Sequence, residues 1–405
     1  MPTIKNIWGR LETGRLFMAA ILFWFSLYAY MPVFAPYTET RCSNHTMVGL
    51  ILGSYGFTQM ILRVPIGILS DLYSRRSLFI RLGALSAFIS STGLWLFVNP
   101  NAILLFRAIA GVAASTWGIF FIVLTNYNPP NQIKKSVGLI QATSPTGQLF
   151  ATIIGGAVAE LFIQRTTFFV AAAGGFLCLI LTLGINDKRN AVKCEGISLK
   201  DIGLLAMNRS LISVSALAAI IQFVTYATVY GFTPVIASNI GAGNFELGLL
   251  TTMSIVPGIF ASIICGSRII AKIGERNTII GCFLITTCSI VVIPHIRTVF
   301  FLIFTQFIGG FSRMLAFTML LSISLSTVSD HNKGTAISIF QAFYGVGMFI
   351  GPSALGMISE HAGLSWGFWI VGLITGLGSL GTLLLDMNSL GRRGIGPCNS
   401  AGGGK

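Results

Sequence analysis

Residues 16–37 read LFMAAILFWFSLYAYMPVFAPY, a stretch without a single charged side chain. A helix needs about 20 apolar residues to cross the hydrocarbon core of a bilayer, and this stretch is long enough. A cleaved signal peptide has a shorter apolar region that ends at a small-residue cleavage site, and no clean site of that kind follows here. Arg10 and Arg15 precede the stretch. The sequence therefore predicts a retained membrane helix that starts on a basic side.

Apolar stretches of similar length recur along the whole chain of 405 residues, of which 54% are hydrophobic and 9% are charged. Such a composition is not that of a soluble globular domain. We predict an all-α membrane protein with twelve transmembrane helices. They lie at about 16–37, 46–70, 77–98, 102–125, 135–160, 166–186, 210–238, 246–270, 277–294, 298–328, 335–359 and 366–386.

The Lys and Arg residues fall almost entirely on one side of these helices. Cytoplasmic loops carry an excess of Lys and Arg over translocated loops. If the N-terminus is cytoplasmic, the loops on the other side hold only Arg41, Arg165 and Arg297. We therefore expect a multi-pass protein of the cytoplasmic (inner) membrane with both termini in the cytoplasm. The net charge of +14 is then mostly loop charge, and we expect no nucleic-acid partner.

The chain divides into two halves with related sequences. A charged connection at about 187–209 separates them, and a shift of about 200 residues aligns pairs at equivalent places in equivalent helices. Chance matching in a biased composition is the alternative, but a nearly constant offset favours duplication. We predict an N-terminal six-helix bundle at 1–190, a cytoplasmic linker at 191–209, a C-terminal six-helix bundle at 210–388 and a disordered cytoplasmic tail at 389–405. The aligned pairs include Gln141 with Gln341, Gly147 with Gly347, Gly156 with Gly356 and Glu160 with Glu360.

The loop after the second predicted helix carries a spaced motif. Its residues Gly67, Asp71, Arg75 and Arg76 resemble the loop signature of the major facilitator superfamily, although Leu72 and Ser74 depart from that signature. The resemblance implies two six-helix bundles, solute transport and a gating role for these four residues. A plain basic loop with one incidental acid is the alternative interpretation.

Glycine-rich patterns extend the resemblance. Arg107 followed by Gly111 is similar to the family's fourth-helix motif, and the eleventh helix reads GVGMFIGP at 345–352. The latter looks like a motif that antiporters of the family carry in their fifth helix, where this chain keeps Pro145 but no Gly-Pro pair. Small residues let helices approach closely, so we expect a set of packing positions. They are Gly111, Gly147, Gly347, Gly351 and Pro352.

Three arginines fall within predicted membrane helices: Arg63, Arg107 and Arg313. A charge at the bilayer centre costs about 2.5–3.5 kcal/mol on insertion scales, so each should face protein or a wet cavity. The resemblance implies that helices one, four, seven and ten line a central cavity, which Arg107 and Arg313 would face from opposite halves. Arg63 could instead be structural, paired with a carboxylate or with a helix C-terminus. Arginine stays charged and binds anions through a bidentate fork.

Polar and aromatic residues at helical spacing complete the candidate substrate site. Spacings of three or four place residues on one helix face. The alternative for each is ordinary packing or interhelical hydrogen bonding. The candidates are Arg107, Arg313, Gln306, Tyr28, Trp24, Gln222, Tyr226, Gln141, Gln341, Tyr344 and Arg63.

All twelve Asp and Glu residues lie near helix ends or in loops, so no membrane carboxylate is available to hold a proton or a cationic drug. We find no catalytic constellation, metal cluster or phosphate-cradling loop, and expect no enzyme activity and no cofactor. We predict a monomeric secondary active transporter of a small organic solute, with anionic or hydrogen-bonding groups, that works by alternating access in the lipid bilayer. A multidrug or metabolite efflux antiporter and a non-transporting membrane sensor are the alternatives.

Overall fold

The computed structural model describes residues 4–73, 75–126, 133–185, 207–328 and 333–384. In these residues, 11 helices are long and apolar enough to cross a membrane. A further helix of 29 residues, Ile133–Leu161, lies between the fourth and fifth of them. The prediction of a helical membrane protein with about twelve spans is therefore confirmed. Residues 191–206 of the predicted linker at 191–209, and the whole predicted tail at 389–405, lie outside the described residues.

The described residues of the first half form eight helical segments. They are α1 (Ile4–Tyr28), α2 (Met31–Glu39), α3 (His45–Leu72), α4 (Arg76–Leu96), α5 (Pro100–Ser115), α6 (Trp117–Asn126), α7 (Ile133–Leu161) and α8 (Thr166–Leu183).

The second half repeats the pattern among its described residues. Its α-helices are α9 (Arg209–Val224), α10 (Thr233–Asn239), α11 (Asn244–Ile264), α12 (Arg268–Ile273), α13 (Glu275–Val292), α14 (Val299–Ser326), α15 (Lys333–Ala362) and α16 (Leu364–Leu384). A π-helical segment at Thr225–Phe232 joins α9 to α10, and a short 3₁₀ turn at Ile293–His295 follows α13.

Several spans that the hydropathy predicts as single helices are interrupted. The first is broken between α1 and α2, just before Pro32, and the seventh is broken in the π-helical segment, where Gly231 has φ −103° and ψ −107°. The eighth ends at Ile264, earlier than the predicted residue 270, because Ser267 takes an extended conformation before α12. Hydropathy does not detect these breaks, since the residues around them are still apolar.

Equivalent glycines pack equivalent helices in both halves. A Cβ at Gly147 would lie 2.5 Å from the carbonyl oxygen of Ile21 in α1. A Cβ at Gly347 would collide with the carbonyl oxygen of Ala219 in α9. Both contacts need a residue without a side chain, because the backbones themselves touch. The internal repeat of the sequence therefore corresponds to a repeat of helix packing.

The two halves meet along two seams, α3 against α15 and α7 against α11. We call the end with the loops at 40–44, 162–165 and 240–243 the distal end, and the end that carries Arg75 and Arg76 the basic end. On the α3–α15 seam a Cβ at Gly53 would lie 2.7 Å from the carbonyl oxygen of Phe349. On the other seam a Cβ at Gly156 would lie 2.7 Å from the Cα of Gly248. The halves are thus in backbone contact towards the distal end.

The basic end is less tightly packed at the corresponding glycines. A Cβ at Gly67, near the end of α3, would meet no atom within 4 Å, and the same is true of Gly266, just beyond the end of α11. The molecule is therefore closed at the distal end, with open space at these positions of the basic end.

Candidate functional site

Four buried tyrosines lie where the two halves meet in the middle of the bundle, and we call them the tyrosine cluster: Tyr28, Tyr55, Tyr226 and Tyr230. The hydroxyl oxygens of Tyr28 and Tyr226 are 3.1 Å apart, so one donates to the other across the interface. The Tyr55 ring stacks on that of Tyr226 at 6.0 Å, and the Tyr230 ring lies 5.5 Å from that of Tyr28. The cluster joins both halves through aromatic and hydrogen-bonded contacts.

The helix interruptions position this cluster. Tyr28 is the last residue of α1, and Tyr226 and Tyr230 lie one turn apart in the π-helical segment. π-Helical turns inside membrane helices frequently occur at functional sites. Tyr28 and Tyr226 are separated by 198 residues, close to the repeat length, so the hydroxyl pair joins equivalent positions of the two halves.

Arg107 on α5 is almost completely buried, with 2% of its surface exposed. Its Nη1 donates to the Tyr30 hydroxyl at 2.8 Å. Its guanidinium carbon lies 4.4 Å from the centre of the Tyr55 ring and 5.2 Å from that of Phe34. Arg107 is therefore held in its own half by one hydroxyl and by aromatic faces, which stabilise a dehydrated cation. Its Nε has no hydrogen-bond partner.

Arg313 on α14, the helix of the second half equivalent to α5, is also buried, with 5% of its surface exposed. Its Nη2 is buried without a hydrogen-bond partner. Gln306 lies two turns away on the same face and is also buried, and its Oε1 accepts no hydrogen bond. This face therefore presents an unpaired donor and an unpaired acceptor.

The side chain of Arg63 on α3 contacts the opposite half. Its Nη1 donates to the Tyr344 hydroxyl on α15 at 2.9 Å, and its guanidinium carbon lies 5.8 Å from the centre of the Tyr344 ring. Its partner is thus a hydroxyl of the opposite half, where the sequence had suggested a carboxylate or a helix C-terminus. The Arg63 Nε is unpaired, as is Oε1 of Gln59 one turn away.

The three arginines lie at different depths. With a helical rise of about 1.5 Å per residue, Arg107, Arg313 and Arg63 lie roughly 11, 21 and 27 Å from the distal starts of α5, α14 and α3. Arg107 packs on Tyr55 of the tyrosine cluster, and Arg313 and Arg63 lie further towards the basic end. Guanidinium groups are therefore distributed along the bundle rather than gathered at one point.

None of these three arginines forms an ion pair with a carboxylate among the described residues. A buried donor without a partner costs about 1–3 kcal/mol, and more when it is charged. The unpaired guanidinium nitrogens and amide oxygens therefore form a set of groups that an anionic molecule with hydrogen-bonding groups can satisfy.

The structure describes most of the remaining candidate residues. The Trp24 ring packs against those of Tyr28 and Trp117 at 5.8 and 5.1 Å, and its Nε1 is buried and unpaired. Gln222 and Gln341 are half-buried, one turn from Tyr226 and Tyr344 respectively. The side chain of Gln141 lies outside the described part of the chain.

Sequence reasoning missed Tyr30, Phe34 and Trp117 as neighbours of the site. Tyr30 and Phe34 follow the break after α1, which turns them towards Arg107, and a straight helix would place them differently. The signal that could have found them is Pro32, which starts a new helix.

The structure describes only part of the loop motif for which a gating role is predicted. Gly67 faces open space, Arg75 is exposed at the start of α4, and Arg76 is half-buried. The side chain of Asp71 lies outside the described residues.

The remaining packing positions make close backbone contacts. A Cβ at Gly111 would collide with the carbonyl oxygen of Tyr55, and one at Gly351 with that of Phe223. The carbonyl oxygen of Pro352 faces Gly49 across the α3–α15 seam. As for metals, the described residues contain no group of three or more His, Cys, Asp or Glu that could hold an ion.

Comparison with known proteins places this architecture in context. The sequence model of the Major Facilitator Superfamily matches residues 16–230 and 215–393. An uncharacterized MFS-type transporter of Methanocaldococcus jannaschii is 22% identical over 369 residues, covering 87% of this chain and 94% of the relative.

Solved structures with the same fold include a bacterial homolog of the human lysosomal transporter Spinster in an inward-facing, unoccupied conformation. Its TM-score is 0.80 at 14% identity, and the match covers 96% of this chain and 99% of that chain. A D-xylose–proton symporter is also similar, with a TM-score of 0.72 at 15% identity and coverage of 93% and 97%.

Proposed function

The chain belongs to the major facilitator superfamily and is a membrane transporter rather than an enzyme, and we propose that it moves a small organic anion by alternating access. The solute would bind between the halves, near the tyrosine cluster, with Arg107 and Arg313 supplying positive charge from opposite sides. An ion or solute gradient would set the direction of secondary active transport across the cytoplasmic membrane.

One observation carries the anionic assignment: three buried guanidinium groups keep unpaired nitrogens, and among the described residues no carboxylate neutralises them. A guanidinium remains charged at any physiological pH. An incoming carboxylate or phosphate would accept hydrogen bonds from these nitrogens and balance their charge. A neutral solute could accept these hydrogen bonds but would not balance the charge, and a cationic solute would be repelled.

The packing of the halves supports the proposed motion. Backbone contacts close the distal end, whereas Gly67 and Gly266 face open space at the basic end. Rocking the halves would separate the distal seams and close the basic end, where Gly67, Arg75 and Arg76 would then come into contact with the second half. The hydroxyl pair of Tyr28 and Tyr226 lies between the two ends.

A multidrug exporter driven by protons is the second candidate. Such a transporter uses a membrane carboxylate to bind a proton and a cation in turn. The acids nearest to the described membrane helices lie at their ends, as Glu39, Glu160 and Glu360 do. This distribution favours the organic-anion transporter. A membrane sensor that moves nothing is the third candidate, and no observation favours it.

The test is flux into proteoliposomes of the wild type and of the Arg107→Gln and Arg313→Gln variants. Carboxylates and phosphate esters that raise the melting temperature of the purified protein would be the solutes tried. We expect each variant to reduce flux at least about 30-fold, the effect of losing about 2 kcal/mol of charge-assisted hydrogen bonding. The Arg41→Gln variant, which alters an exposed loop cation, is the control and should keep wild-type flux. Unchanged flux in both buried variants would exclude the proposed anion site.

A further inference from the structure

Two carboxylates at equivalent positions of the repeat each reach into the opposite half. Glu160, near the end of α7, accepts a hydrogen bond from the backbone N–H of Phe245 at 3.2 Å. Glu360, near the end of α15, accepts one from the backbone N–H of His45 at 2.6 Å. Phe245 and His45 belong to the first turns of α11 and α3, so both carboxylates contact helix N-termini.

The location of these acids is unfavourable within their own helices. The C-terminal end of a helix carries partial negative charge, so a carboxylate there is repelled by its own helix. The first turn of a helix has unpaired N–H groups and partial positive charge, which attract a carboxylate. Each glutamate therefore gains this interaction only when the opposite half is close. Among the described residues, the hydrogen bonds of both carboxylates go to the opposite half.

The contacts are reciprocal. The first half supplies Glu160 to the second, and the second half supplies Glu360 to the first, at a separation of 200 residues in the sequence. Below each carboxylate lies a tight seam: the hydroxyls of Thr152 and Thr252 are 2.8 Å apart on one side, and Gly49 packs on the backbone of Pro352 on the other. Rocking the halves apart at the distal end breaks both hydrogen bonds together.

Further contacts surround each carboxylate. The amide Nδ2 of Asn244 donates to the carbonyl oxygen of Ala159 at 3.1 Å, beside Glu160. The His45 ring stacks on that of Phe232 in the second half, with ring centres 5.9 Å apart, beside Glu360. Both carboxylates thus lie at the distal edge of the interface, beside other hydrogen-bonded and stacked contacts between the halves.

We infer that Glu160 and Glu360 form a pair of carboxylate latches that hold the distal end of this transporter closed by capping helix N-termini of the opposite half. The inference rests on the proposed rocking motion but not on the solute. The latches stabilise the conformation that is closed at the distal end. When that end opens, both hydrogen bonds break, and water then hydrates the carboxylates and the backbone N–H groups of Phe245 and His45. Glu160 and Glu360 are positioning residues, because they act on the equilibrium between conformations and do not contact the proposed solute site.

The test measures opening of the distal end without any solute. A cysteine introduced at Thr252, which is 3% exposed below the Glu160 latch, reports opening through its rate of reaction with a bulky water-soluble maleimide. All variants carry Cys42→Ser, and the same protein with Thr252 retained gives the background. We expect Glu160→Ala and Glu360→Ala each to increase the rate about threefold, as expected for loss of one charge–helix interaction at an exposed site.

The double variant tests independence of the two latches. Because the sites are far apart in sequence and on different seams, we expect the two increases to multiply to about ninefold. Glu160→Gln and Glu360→Gln, which keep an acceptor oxygen without the charge, should give intermediate rates. These conservative variants also keep the test informative if an alanine variant does not fold.

Glu246→Ala is the matched control. Glu246 accepts a hydrogen bond from the backbone N–H of Gly243 at 2.9 Å and so caps its own helix within the second half. It should leave the labelling rate unchanged. Equal rates in all glutamate variants, or an equal increase in the Glu246→Ala control, would overturn the latch. Since no solute is present, this result is independent of whether the transporter carries anions.

Discussion

At the scale of single residues, the membrane arginines depend on aromatic rings for their stability. Moving a cation into the bilayer centre costs about 2.5–3.5 kcal/mol on insertion scales. For Arg107 the compensation consists of one hydroxyl, that of Tyr30, and the faces of Tyr55 and Phe34. A cation over a ring contributes about 2 kcal/mol when desolvated. The ring of Tyr55, at 4.4 Å, is nearer to the guanidinium carbon than those of Phe34 and Tyr30, at 5.2 and 5.6 Å, and is therefore expected to be the main contributor.

This account predicts different effects for two substitutions at Tyr55. Tyr55→Phe keeps the ring over Arg107 and should change the free energy of unfolding little. Tyr55→Leu removes the ring and should destabilise the protein by about 2 kcal/mol. Thermal unfolding of the purified variants in detergent measures the difference. Equal loss of stability in both variants would show that the ring does not stabilise the cation.

At the scale of helices, the interruptions and the glycine contacts decide where side chains point. The break before α2 orients Tyr30 towards Arg107, and the π-helical segment orients Tyr226 and Tyr230 towards the interface. Glycines then determine how closely the helices that carry these residues approach one another. Because the contact at Gly347 is with backbone, the neighbouring α9 would have to move as a unit to admit a methyl group.

Two glycine substitutions with the same chemistry should therefore have opposite effects. Gly347→Ala forces a methyl group against the carbonyl oxygen of Ala219 and should destabilise the protein by about 1–3 kcal/mol. Gly281→Ala, in the interior of α13, meets no atom within 4 Å and should stabilise the helix by up to about 1 kcal/mol. Melting temperatures of both variants test the pair. A Gly281→Ala variant as unstable as Gly347→Ala would contradict the packing argument.

At the scale of the whole molecule, the charges assigned to the solute site are permanent. A guanidinium group stays charged near neutral pH. Closure of the distal end is instead supported by carboxylates at its surface, Glu160 and Glu360. Solute binding and end closure therefore use different charged groups at different depths of the bundle.

This separation predicts that flux depends weakly on a proton gradient. In proteoliposomes loaded with the transported anion, abolishing the pH gradient with an ionophore should change the exchange rate less than about twofold, because arginine has no proton to exchange. The measurement compares initial rates with and without the gradient at fixed membrane potential. A loss of transport on collapse of the gradient would show that a titratable group outside the described site drives the cycle.

The sequence by itself determined the approximate number of membrane helices, the basic side of the bundle and the presence of three membrane arginines. These follow from hydropathy and charge along the chain, since each residue's cost of transfer into lipid depends mainly on its own chemistry. The resemblance to the superfamily, from short motifs such as Gly67 to Arg76, was also sufficient for the fold.

Only the tertiary structure decided which groups meet. Arg63 bonds to Tyr344 across 281 residues of sequence, and Tyr28 bonds to Tyr226 across 198. Such contacts depend on the breaks in the helices and on the placement of one half against the other, which no local pattern encodes. For the same reason the sequence shows that Glu160 and Glu360 are a repeated pair, but not that each contacts the opposite half.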